Sequence, residues 1–92
     1  MMAVHPGRVL RREMAARDLS ANALALALRT PSGWITDILK GKRGVSPETA
    51  MRLARYFGNS ARFWLNFWTA YELALAEREL GKKIAAEVSP AA

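Results

Sequence analysis

Apolar positions along this chain recur at spacings of three and four rather than two. Leu24, Ala25 and Leu28 fall on one side of a helix, and Ile35, Ile38 and Leu39 do the same a few residues on. The punctuation agrees with helices. Pro6, Pro31 and Pro47 each suit a first helical turn, and Thr30 and Ser46 stand directly before two of them as capping side chains. Gly58 and Gly81 suit C-terminal stops. Together these marks predict five helices, near residues 6–17, 20–28, 31–40, 47–57 and 61–80. No segment alternates in the manner of a strand, so the expected fold class is all-α. The closing stretch KKIAAEVSPAA has little to bury, which divides the chain into a folded domain over 1–80 and a frayed tail over 81–92.

The second and third helices are the informative pair. Arg29 and Thr30 leave room only for a very short turn, which forces a steep crossing, and Ala25 is small where the helices must approach most closely. That is the spacing logic of a helix-turn-helix. At about 100° per residue, Ile35, Ile38 and Leu39 define the inner side of the third helix, leaving Gly33, Thr36, Asp37 and Lys40 opposite. That outer face is the one a DNA major groove would meet. Gly33 lets the backbone come close but offers no side chain. Thr36 suits a thymine methyl or a hydrogen bond; Asp37 suits a cytosine amine, or equally a pair with Lys40 one turn on. Ser32 lies in the first turn, where a hydroxyl and free N–H groups suit a phosphate. Lys42 and Arg43, in a Gly-flanked loop, are the leading phosphate contacts, with Arg29 and Asn22 secondary. Trp34 lies beside the apolar stripe and is expected to cap the edge of the core, with stacking on DNA or a protein contact as alternatives.

The last helix carries more apolar surface than one buried face requires. Phe63, Trp64, Phe67, Trp68, Tyr71 and Leu75 spread over roughly 140°, so the helix needs two partners: the body of its own domain and a second copy of the chain. These six residues are the expected homodimer interface.

Charge sharpens this picture. Residues 1–62 carry eleven Lys or Arg against four Asp or Glu, whereas residues 63–92 carry three against four, so the basic end is the one that meets a polyanion. Ninety-two residues allow one small domain. There is no cysteine, hence no disulfide and no thiolate metal site, and no apolar run reaches the roughly 20 residues of a membrane span. The N-terminus turns charged before a signal-peptide core forms. The expectation is a cytoplasmic protein with no membrane partner, cofactor, metal or small-molecule substrate. Its one histidine, His5, reads as a helix cap rather than a general base, and no carboxylate pair, phosphate loop or nucleophile motif argues for an enzyme.

Three stretches go beyond a generic helix pair: HPGRVLRRE near the start, GKRGVSPETAMRLARYFGNSARFWLNFW in the middle, and AYELALAERE after it. Over residues 5 to 80 they resemble the HigA-type antitoxins of the Xre, or lambda-repressor-like, helix-turn-helix group. The resemblance implies a five-helix DNA-binding domain with a long C-terminal dimerisation helix. It also implies a homodimer that neutralises a HigB-type ribonuclease toxin and represses the operon encoding both. The chain departs from that pattern at Ala21, where a Gln is usual, at Arg29, where the turn usually has Gly, and at Gly33 and Trp34, where Ser and Arg are usual. At Ala21, Gly33 and Trp34 the departure removes a polar group from the DNA side. Two further readings therefore stand beside the first: a toxin-sequestering interaction module with weak operator specificity, and a solitary Xre-type regulator.

Overall fold

The computed structural model describes residues 3–91 as five helices, with no strand among them: α1 (Pro6–Ala16), α2 (Ala21–Leu28), α3 (Ser32–Leu39), α4 (Pro47–Phe57) and α5 (Ala61–Glu87). Local chemistry explains most of the boundaries. His5 caps α1 by accepting from the Gly7 N–H at 2.9 Å, as expected of it, and Pro6 occupies the first turn. Ser20, Ser46 and Ser60 cap α2, α4 and α5 by accepting from the N–H groups of Ala23, Thr49 and Phe63. Gly58 closes α4 in the left-handed region at φ 77°, as a C-terminal stop should.

Two expected punctuation marks fail. Thr30 does not cap α3: the helix begins one residue later, its N-cap is Pro31, and the Thr30 hydroxyl is buried without a partner. The turn explains this. Arg29 enters the left-handed region at φ 61°, and the Thr30 N–H is spent on the Ala25 carbonyl, which closes α2 rather than opening α3. Gly81 does not stop α5 either, and the helix runs on to Glu87. Glycine ends a helix by taking positive φ, and Gly81 does not take it. A glycine in a helix interior costs only about 1 kcal/mol, so good helix formers around it carry the helix through.

The core gathers the inner faces of all five helices: Leu10 and Met14 of α1, Leu24, Ala25 and Leu28 of α2, Ile35 and Ile38 of α3, Leu53 of α4 and Trp64 of α5. Leu39, at the last turn of α3, packs on this cluster half-buried. α2 lies against α3 and α4, while α1 backs α3 and α5. Gly7 explains the closeness of α1 to α3, because a Cβ there would strike the Ile38 carbonyl oxygen. Arg52 of α4 donates to the Leu28 carbonyl at 2.9 Å and to Glu48 at 3.1 Å, placing a cation at the C-terminus of α2. The long axis of the molecule, 52 Å, is set by α5, whose 27 residues span about 40 Å.

One expected interface residue belongs to this core. Trp64 is 0% exposed, donates its indole N–H to Asn59 Oδ1 at 2.8 Å, and packs against the rings of Phe57 and Phe63. An aromatic at helical spacing serves a core or an interface equally well. Here the corner between α4 and α5 encloses it, so it cannot meet a second copy.

Candidate nucleic-acid interface

The outer face of α3 and the loop after it form one continuous, open surface. Ser32, Gly33 and Lys40 are exposed, with Thr36 and Asp37 half-buried between them. A Cβ added at Gly33 would meet no atom within 4 Å, so this glycine is not required by packing inside the molecule. Thr36 turns its hydroxyl inward and donates to the Gly33 carbonyl at 3.1 Å, which leaves its methyl group and an acceptor lone pair for anything outside.

The basic loop is fixed by its backbone. The N–H groups of Lys42 and Arg43 both donate to the Asp37 carbonyl, at 2.8 and 3.2 Å. Gly41 supplies the left-handed turn at φ 74°. Gly44 sits so close to Trp68 of α5 that a Cβ would lie within the indole. Among the described residues the only ion pairs are Arg17 with Glu13 and Arg52 with Glu48. Lys40, Lys42 and Arg43 thus carry uncompensated charge, and the alternative pairing of Asp37 with Lys40 is not formed.

Trp34 is placed differently from expectation. It is half-buried but is not among the residues packed on the core, so it does not cap the core's edge. Its ring instead lies under the Arg43 guanidinium, 5.0 Å from ring centroid to Cζ. The secondary DNA candidates are set apart from this cluster. Asn22 is exposed near the start of α2, and Arg29 lines a groove of about 580 Å³ between α2 and α4 with Met51, Arg55 and Tyr56.

The aromatic residues of α5 are largely used within the chain. Trp68 and Tyr71 meet the His5 ring edge-on, at 5.6 and 4.8 Å between centroids. Burial among these rings holds the His5 pKa below its ordinary value. Phe63 leans on Trp64 and Phe67, and Leu75 is half-buried. Phe67 borders a groove of about 460 Å³ with Ala3, Val4, Ala70, Leu73 and Ala74. Beyond it lie exposed Leu73, Leu80 and Ile84. Ala70, Leu73, Glu77, Leu80 and Ile84 recur at spacings of three and four along one exposed side of α5, a stripe that a helix ended at residue 80 does not reveal in full. No helix among the described residues is long and apolar enough to cross a membrane.

A short helix pair joined by a three-residue turn, with the outer face of its second helix open beside a cationic loop, defines a helix-turn-helix domain. A family described as a helix-turn-helix domain matches residues 7–62. Within that class the chain belongs to the HigA-type antitoxins. It is 43% identical to an addiction-module antidote protein of the HigA family from Coxiella burnetii, with a TM-score of 0.94 over 99% of this chain and 100% of that one. Antitoxin HigA of Pseudomonas aeruginosa, solved with the higBA promoter, is 42% identical, with a TM-score of 0.94 over 98% and 99% of the two chains. Virulence-associated protein I of Dichelobacter nodosus is 48% identical over 80 residues, which is 86% of this chain and 74% of that protein. The all-α fold and the long last helix match expectation, and the two solved relatives are antitoxins rather than enzymes.

Proposed function

We propose that this chain is a cytoplasmic, homodimeric antitoxin that binds an inverted-repeat operator in double-stranded DNA, represses the operon encoding it and neutralises a HigB-type ribonuclease toxin. The observation that carries the DNA reading is the open face of α3 joined to three cations, Lys40, Lys42 and Arg43, that have no ion-pair partner among the described residues. Relatives solved with promoter or operator DNA support it, including the Pseudomonas aeruginosa protein PA4674, 42% identical, in complex with its operator. In this reading Lys42 and Arg43 hold phosphates, Ser32 meets a phosphate or base edge, and the Thr36 methyl and Gly33 backbone approach the bases. Asp37 acts first through its carbonyl, as the anchor of the loop.

The exposed apolar stripe of α5 supports the dimer, by a surface shifted from the one expected. Phe67 remains in it, joined by Leu73, Leu80 and Ile84; Trp64 leaves it. A dimer that reads two half-sites sets its α3 helices in successive major grooves about 34 Å apart, which calls for an inverted repeat. The back-bonded Thr36 and side-chain-free Gly33 also favour the second reading, toxin capture with weak operator specificity, because they thin the direct readout.

The deciding experiment is titration of the chain's own promoter duplex at several salt concentrations. Removing Lys42 and Arg43 together is expected to lower the salt slope by about two. An unchanged slope excludes both as phosphate contacts, and binding to every duplex alike would favour the second reading. Sedimentation tests the dimer: the wild type is expected to be dimeric at micromolar concentration and Leu73→Glu to shift it toward monomer, and a wild-type monomer would end the proposal. Co-purification with the product of the neighbouring reading frame tests the toxin.

A further inference from the structure

We propose that Trp34 is a positioning residue for Arg43, holding its guanidinium on the indole face so that the basic loop receives a phosphate already assembled. The proposal rests on the DNA-binding reading above and deepens it. It gives a role to a half-buried tryptophan that the core does not use.

Three observations meet at this pair. The guanidinium carbon lies 5.0 Å from the indole centroid, within the range of a cation–π contact. Arg43 has no carboxylate partner among the described residues, so the ring is what orients its charge. Trp34 is half-buried yet not packed on the core, so filling the interior is not its purpose.

The backbone completes the arrangement. The N–H groups of Lys42 and Arg43 are tied to the Asp37 carbonyl, while the Arg43 side chain returns to Trp34, almost one turn earlier on the same helix. Arg43 is therefore gripped at both ends by α3. A free arginine gives up several rotatable bonds when it meets a phosphate, whereas one already laid on a ring gives up fewer. A guanidinium stacked by its face also keeps its N–H edge free, and that edge binds phosphate oxygens. Trp34 thus supports a contact made by Arg43 instead of making one itself. It also adapts the loop to a helix whose Gly33 contributes no side chain.

A double-mutant cycle on the promoter duplex tests the coupling, using Trp34→Ala, Arg43→Ala and the pair. Trp34→Ala is expected to weaken binding about fivefold when Arg43 is present and less than twofold when it is absent. Trp34→Phe, which keeps a ring face, is expected to restore most of the loss; Trp34→Leu, which keeps bulk without a π face, is not. Additive losses, or equal rescue by Leu and Phe, would overturn the proposal, since the indole would then touch DNA itself or merely support the fold. A second measurement needs no DNA: the Arg43 side-chain protons should be shifted upfield by the indole ring current and lose that shift in Trp34→Leu. No shift in the wild type overturns the positioning role even if DNA binds tightly. A clear shift without salt-dependent duplex binding overturns instead the DNA reading on which the role depends. Should Trp34→Ala fail to fold, the Phe and Leu variants carry the same cycle.

Discussion

Two helices of this molecule each carry a tryptophan beside apolar neighbours, and they use it in opposite ways. In α5, Trp64 is enclosed by Phe57 and Phe63, and its N–H finds Asn59. In α3, Trp34 stays outside the core and meets a cation. The difference lies in what surrounds the helix. α5 starts at the corner with α4, where neighbours close over its first turns. α3 is covered by α1 and α2 on its inner side, and its outer side is left open. One aromatic thus secures the fold, while the other lies against a cation of the basic loop.

The strongest way to break this comparison is to remove each ring. Trp64→Ala empties a fully buried site and strands Asn59, with an expected loss of about 3–5 kcal/mol, a large share of the stability of a domain this small. Trp34→Ala should cost well under half of that. Urea unfolding followed by circular dichroism measures both, and equal losses would show that Trp34 is a core residue after all. Next in size is Gly44→Ala. The added methyl meets the Trp68 indole, so the basic loop or α5 must shift, at an expected cost of about 1–3 kcal/mol. A neutral result would mean that the loop and α5 are not held against each other.

The same contrast explains what was legible in the sequence. Helix positions, the inner face of α2 and α3 and the open face of α3 follow from apolar spacing and caps, because backbone hydrogen bonding and burial act locally. The aromatics of α5 did not sort themselves. Period alone places Phe63, Trp64 and Phe67 on adjoining sectors, and only the path of α4 decides that Trp64 is enclosed while Phe67 borders a groove. Gly81 hid Leu80 and Ile84 as one stripe, since nothing in a single glycine says whether it will take positive φ. The Trp34 and Arg43 contact was hidden for a different reason: it joins a helix to a loop whose route depends on Gly41 and on the Asp37 carbonyl.

Gly33 sharpens the comparison from the other side, because its effect on folding and on binding should have opposite signs. Nothing in the molecule needs the missing side chain, so Gly33→Ala is expected to stabilise the fold by about 0.5–1 kcal/mol. If the bare backbone is there to approach DNA, the same methyl should weaken operator binding. A thermal melt and a duplex titration on one sample settle it. Higher melting temperature with unchanged affinity would leave Gly33 without a role at the interface.

The smallest effect expected concerns the joint between the two regions. His5 caps α1 through Nδ1, its ring lies against Trp68 and Tyr71 of α5, and the α1 residue it caps, Gly7, touches the end of α3. Burial lowers its pKa, so the folded protein resists the proton that the unfolded chain accepts below about pH 6.5. Stability from this group is therefore complete above that pH and declines as pH falls toward the lowered folded value. Protonation also turns Nδ1 from acceptor to donor, which breaks the cap. Asparagine can cap by its side-chain oxygen but does not titrate, so His5→Asn should flatten the fall in melting temperature between pH 7.5 and 5.5. If the wild type and His5→Asn fall in parallel, His5 is not the group through which acid loosens α1 from α5.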